Sequence, residues 1–375
     1  MNRPGSLFLF SATSACVAAT LLSACPQQVD DHRQAVIAES IEGLMRPETA
    51  AAIEDAAALR EASASFCAAP SSAGLDAVQD AWWTLRGPWD RLMVLRLGPI
   101  VDSGYDSLVD FWPARPNSVE GGVESGVSTL DELEVLGVAS KGLPGFEYMV
   151  WDPEAGDEAV LAAYTDADTG AQRCAYLELL AADLEHQLES LQGELDPYFD
   201  ELYAAGSSER YPTVALAIDE LLNGAIAGLH DIRERSLSKP AGFATGDAPQ
   251  YDLVQSRFSD RSREDLLDTL EGFRRFYLGA EAEGDDAQAA AEGGLGFSVL
   301  VSQKSEDIDA EVRAQIDRAI AACEAIPEPL RESLDTDLEL IETAWTEVRA
   351  LVELLTADVA GLLGVTVALT DNDGD

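Results

Sequence analysis

The sequence predicts an all-α fold made of two antiparallel helical-bundle halves packed against each other. Apolar residues recur by threes and fours over long stretches, as in Leu75, Val78, Trp82, Leu85, Trp89 and Leu92, and again in Leu338, Ile341, Trp345, Val348, Val352 and Leu355. That is the period of a helix with one buried face. No run of alternating β-branched residues competes with it. The intervening stretches GPIVDSGYD, WPARPNS, SKPAGFATGDAP and AEGDDAQAAAEGG are rich in Gly, Pro, Asp and Ser, which interrupt helices. At 375 residues the chain is long enough for two units, each burying its own core.

In chain order, MNRPG is followed by SLFLFSATSACVAATLL, too short and too rich in small residues for a spanning helix, so residues 1–24 read as an export signal. Leu22-Ser23-Ala24-Cys25 resembles the lipobox of bacterial lipoproteins. The resemblance implies cleavage before Cys25, acylation of that cysteine, a tether over 25–31 and a mature protein held by lipid in the bacterial cell envelope, periplasmic or anchored at the outer membrane. Helical period then runs over 33–45, 49–66, 75–97, 172–192, 212–236, 262–277, 307–324 and 329–357. The stretch DPYFDELYAAGSSERYP, around 196–212, is the expected seam between an N-terminal bundle at 32–203 and a C-terminal bundle at 204–375. In an oxidising compartment Cys67 and Cys174, both at helix-like positions of the first half, are the expected disulfide, and Cys323 is the expected buried thiol.

Charge narrows the partners. The chain has 69 acids against 24 bases, a formal charge of −45, which argues against nucleic acid or an anionic membrane surface as a binding partner. Cationic ligands stay open, and so does salt adaptation, in which screening relieves the self-repulsion. His32, His186 and His230 are scattered without HxxxH or HxxE spacing, so a histidine-based metal site has little support.

The chemistry-bearing stretch is LPGFEYMVW at 143–151. As a helix it places Leu143, Phe146 and Val150 on a buried stripe, with Glu147 on the same stripe one turn after Leu143. A carboxylate sealed from water needs a base, a metal ion or hydrogen-bond donors beside it. Continuing the repeat of the 75–97 helix past Leu92 lands on Arg96, a second charge at a core-type position: either it approaches Glu147 as its counter-charge, in a structural ion pair or the floor of a ligand site, or it snorkels to the surface and Glu147 caps a loop. Gly87 and Pro88 interrupt that helix, which leaves the register beyond them open. The terminal Asp371, Asp373 and Asp375 have the alternate spacing that opens a calcium loop, without the later bidentate Glu; a solvated acidic tail is the competing reading.

The stretch KGLPGFEYMVWD resembles the signature segment of the imelysin family, the peptidase M75-like envelope proteins, whose hallmark is GxHxxE. Gly142 and Glu147 match that frame, and Pro144 stands at the His, as in an imelysin-like branch carrying GLPxxE. Arg96 to Pro99, VDFWP at Val109 to Pro113, RCAYLEL, SRFSDRSREDLLDTLEGF at Ser256 to Phe273 and the end LGVTVALTDNDGD are also similar to that branch, in the same order. The resemblance implies two helical halves with the signature segments gathered between them. It makes Glu147, Arg96, Asp110, Arg257, Ser259, Asp373 and Asp375 the candidate ligand-binding set, with Glu147 the candidate for a divalent metal or iron. Members are associated with peptidase action, with iron uptake or iron-regulated expression, and with ligand binding at the cell surface. With Pro144 in place of the His, peptidase chemistry loses a ligand it requires. The expectation is therefore a lipid-anchored envelope protein that binds a small ligand or metal, in iron or other metal acquisition. An M75-type metallopeptidase and a purely structural role are the alternatives.

Overall fold

The computed structural model describes residues 27–280 and 295–368. The export signal, Cys25 and the terminal Asp371, Asp373 and Asp375 lie outside the described residues. Within them the chain is helical throughout, with no strand.

The first half is built on three long antiparallel helices. The helix α1 (Gln27–Glu39) passes through a wide turn at Ser40–Met45 into α2 (Arg46–Ala68). Next comes α3 (Ser72–Leu92), whose start is fixed by Ser71, the side chain of which accepts a hydrogen bond from Gly74 N at 3.2 Å. Its stripe of Leu75, Val78, Trp82, Leu85, Trp89 and Leu92 is wholly buried, as the periodicity requires. Short helices follow: α4 (Pro99–Asp102), α5 (Tyr105–Val109), α6 (Pro116–Ser125), α7 (Leu130–Val135), α8 (Gly142–Val150) and α9 (Asp157–Thr165). The 34-residue α10 (Gly170–Tyr203) then spans about 50 Å and packs on α2. Cys67 at the end of α2 and Cys174 near the start of α10 are joined by a disulfide, with their Cα atoms 5.4 Å apart.

The second half comprises α11 (Val214–Asp231), a wide turn at Ile232–Ser238, α12 (Lys239–Ala241), α13 (Ser262–Leu278), α14 (Ser298–Ser302), α15 (Glu306–Glu324), α16 (Leu330–Thr336), α17 (Leu338–Leu354) and α18 (Ala360–Leu363). Here α13 packs on α15, α15 on α17, and α11 on both α13 and α17. Cys323 on α15 is a buried free thiol, pushed up to about 12 by burial.

The halves meet along α3 and α13. Gly272 makes that crossing close: a Cβ there would sit 2.3 Å from the Arg91 carbonyl oxygen. Three helix limits depart most from the sequence reading. The helix read as 172–192 runs from Gly170 to Tyr203 as α10, through the first half of the stretch expected as the seam. The helix read as 75–97 stays continuous through Gly87 and Pro88 but ends at Leu92. The one read as 329–357 is broken at Asp337, which leaves helical geometry with φ −137°.

Candidate functional site

Glu147 sits on α8, whose entry is set by Gly142. That residue has φ +74°, and a Cβ on it would lie 2.6 Å from the Val109 carbonyl oxygen, so glycine alone lets α8 start against the end of α5. One turn on, Glu147 is 1% exposed. Its Oε1 accepts hydrogen bonds from Phe258 N at 2.9 Å, Ser259 N at 2.8 Å and Ser259 Oγ at 2.8 Å. The donors belong to a turn of the second half in which Ser256 and Asp260 have positive φ, 46° and 61°, a backbone state that non-glycine residues adopt at a cost. Burial pushes the Glu147 carboxyl up to about 7. The Ser259 donors pull against it, Asp265 adds to the rise and Arg86 opposes it.

The acid is therefore answered by backbone and hydroxyl donors, and the reading of Arg96 as its counter-charge is corrected. Because α3 ends at Leu92, Arg96 lies in the following turn, half-buried, and pairs with Asp106 at 2.5 Å and Asp231 at 2.9 Å. Arg257 turns its side chain away, onto Asp252 and over the Phe258 ring at 4.8 Å. Ser259 does meet Glu147.

Asp110 belongs to a neighbouring buried lattice centred on Arg86, which is 1% exposed. Arg86 reaches Asp90 at 2.9 Å, Asp110 at 2.9 Å and Asp265 at 3.3 Å. Arg261 meets Asp90 at 3.2 Å, Asp265 at 2.5 Å and Asp268 at 2.6 Å. Arg235 and Gln255 also reach Asp110, at 3.3 and 3.2 Å. Burial drives Asp90 well above the usual carboxylate range. Burial pulls Asp265 the same way, but Arg86 and Arg261 outweigh it and hold Asp265 below that range. Sequence reasoning missed Arg86 and Arg261. The signal for Arg86 was present in WWTLRGPWD, an arginine four residues after buried Trp82 and three before buried Trp89, but it adjoins the Leu85 position of the repeat and looks like a flank.

Two openings adjoin this region. One is a cavity of about 20 Å³ bordered by Asp90, Asp110, Asp265, Arg235, Gln255 and Thr269, room for one water held by polar partners. The other is a cleft of about 240 Å³ at the end of α8, walled by Tyr148, Trp151, Phe258 and Arg173 with Asp152 and Glu154 at its mouth. Among the described residues no three His, Cys, Asp or Glu side chains are grouped to hold a metal ion. Pro144 at the motif's His position and three donors on Glu147 Oε1 do not fit a metal ligand set.

Fold and site together define a class: an all-α protein of two bundle halves, with a signature acid of one half sealed by a turn of the other. The chain belongs to the imelysin family, whose peptidase M75 model matches residues 46–360. It is 25% identical over 354 residues to iron-regulated protein A of Synechococcus elongatus, covering 92% of this chain and 91% of that one. Its fold is similar to the crystal structure of a candidate iron-regulated protein A precursor from Parabacteroides distasonis, with TM-score 0.74 and 22% identity over 89% of this chain and 94% of the other. It is also similar to an imelysin-like protein from Psychrobacter arcticus, with TM-score 0.71 and 16% identity over 90% and 97%.

Proposed function

We propose that this protein is a lipid-anchored ligand-binding protein of the bacterial cell envelope, serving iron acquisition, with its ligand received at the junction of the two halves. One observation carries the reading: the turn that seals Glu147 also supplies Phe258 to the wall of the open cleft, so a ligand there touches both halves. The similarity to an iron-regulated protein supports the physiological assignment, and the Cys25 lipobox supports the anchor.

The test is growth. A strain lacking the protein should grow as its parent does with ample iron and more slowly when iron is limiting, and the wild-type gene should restore it. Equal growth of deletion and parent under limitation refutes the role in iron acquisition. Intact mass of the protein extracted from its own envelope should give a chain starting at acylated Cys25; a chain starting elsewhere, or without lipid, refutes the anchor.

A further inference from the structure

The cleft at the end of α8 is apolar inside and acidic at its mouth. Tyr148 packs edge-on against Phe258 with ring centroids 5.3 Å apart, and Trp151 edge-on against Trp82 at 5.0 Å, so three rings wall the cleft in fixed positions, and Val160 and Ala163 of α9 complete the lining. Arg173 is the one base in that lining. Both oxygens of Glu120 accept from its Nη1, at 2.9 and 3.1 Å, so it brings no net charge. Asp152 and Glu154 stand exposed at the mouth, and among the described residues neither is ion-paired: Arg331, a base that senses Glu154, is bridged to Asp260 at 2.5 Å. Asp152 is oriented by the hydrogen bonds its Oδ1 accepts from Glu154 N and Ala155 N at 3.0 and 2.9 Å. The exposed Asp157 and Glu158 follow at the start of α9 and deepen the negative field there.

We propose that the cleft binds a small arylalkyl ammonium ion, with the ring of the ligand between the aromatic walls and its ammonium group at Asp152 and Glu154. This names the chemical class of the ligand that the proposed function places at the junction, and it rests on that placement. About 240 Å³ takes one ring with a short arm. The walls hold that ring by buried area and edge-to-face packing, and their faces attract a cation where they repel an anion. Charge excludes the other forms. An anionic ligand would have to pass two unpaired carboxylates of a protein with formal charge −45, only to find the one base inside already taken by Glu120. A neutral ligand of the same shape gains the walls and nothing at the mouth. The ammonium ion gains both, and because the two acids are exposed, salt screens its share while leaving the burial of the ring untouched.

Isothermal titration of the full mature protein with 2-phenylethylamine, 2-phenylethanol and 3-phenylpropanoate, which share a ring and a two-carbon arm and differ in charge, tests this. The amine should bind at least about tenfold more tightly than the alcohol, a difference of about 1.4 kcal/mol, and the carboxylate more weakly than either. In about 1 M sodium chloride the amine should fall to the affinity of the alcohol. The double variant Asp152→Asn, Glu154→Gln should give the same equality at low salt. Ala163→Trp, which fills the cleft, should abolish binding of all three at an unchanged melting temperature. An amine that binds no more tightly than the alcohol, an advantage that persists in the double variant, or binding unchanged by Ala163→Trp would each overturn the proposal. Missing amine selectivity beside iron-dependent growth of the deletion strain removes only the ligand class; amine selectivity in a protein whose deletion leaves iron-limited growth unaffected removes only the iron reading.

Discussion

At the residue scale the controlling fact is that Glu147 keeps a carboxyl out of water without a base in contact. Three donors on one oxygen replace the lost hydration only in part, which is why burial leaves the group titrating near 7 and not near 4.5. The stability consequence follows from the direction of that shift. A carboxyl whose folded value is raised binds its proton more tightly in the fold, so the contribution is fully present below about 4.5 and is lost as pH rises through about 7. For this buried group the loss is roughly 3 kcal/mol. Urea unfolding of the wild type between pH 5 and pH 8 should show that decline. Glu147→Gln, which keeps an acceptor for the Phe258 and Ser259 amides, should flatten it. An equally steep decline in the variant would assign the effect to other carboxyls that burial raises, among them Asp90 and Glu264, the latter pushed up to about 7.

Elements are held together at this junction by close backbone approach and by the lattice around Arg86. Asp90 on α3 and Asp265 on α13 share the Arg86 and Arg261 guanidinium groups, and Asp110 after α5 meets Arg86 and Arg235, so no single pair can be removed without stranding a charge. Gly272 lets α13 come near enough to α3 for that sharing. Gly272→Ala puts a methyl 2.3 Å from the Arg91 carbonyl oxygen and should cost about 1–3 kcal/mol in chemical denaturation by forcing the helices apart. The same variant should loosen the 256–260 turn, read as faster hydrogen exchange at the Phe258 and Ser259 amides. Unchanged stability and exchange would show that the junction adapts.

For the whole molecule, the acid excess sets how stability responds to salt. With a formal charge of −45, the compact state is strained by repulsion that about 0.15 M salt screens beyond roughly 8 Å. The melting temperature should therefore rise between low salt and 1 M sodium chloride. A fall would mean that the exposed ion pairs, such as Arg46 with Asp196 at 3.1 Å, outweigh the net repulsion.

Helical class, the buried stripe of α3, the buried Ile341, Val348 and Val352 of α17 and the inward position of Glu147 were determined by the sequence itself, because each depends on the 3.6-residue period, a local property that no distant contact has to complete. Leu338 and Trp345, read on the same stripe as those of α17, are half-buried. The identity of the groups answering Glu147 was decided only in three dimensions. Its partners lie 111 and 112 residues away, and two of the three donors are backbone N–H groups that every non-proline residue carries and no side-chain pattern marks. Arg96 was misplaced because the helix ends five residues short of the expected limit, and that limit depends on how α3 packs and ends. Arg86 and Arg261 became a lattice only once α3 and α13 were brought side by side, since a buried charge is tolerated through the carboxylates that surround it and these came from three separate stretches of chain.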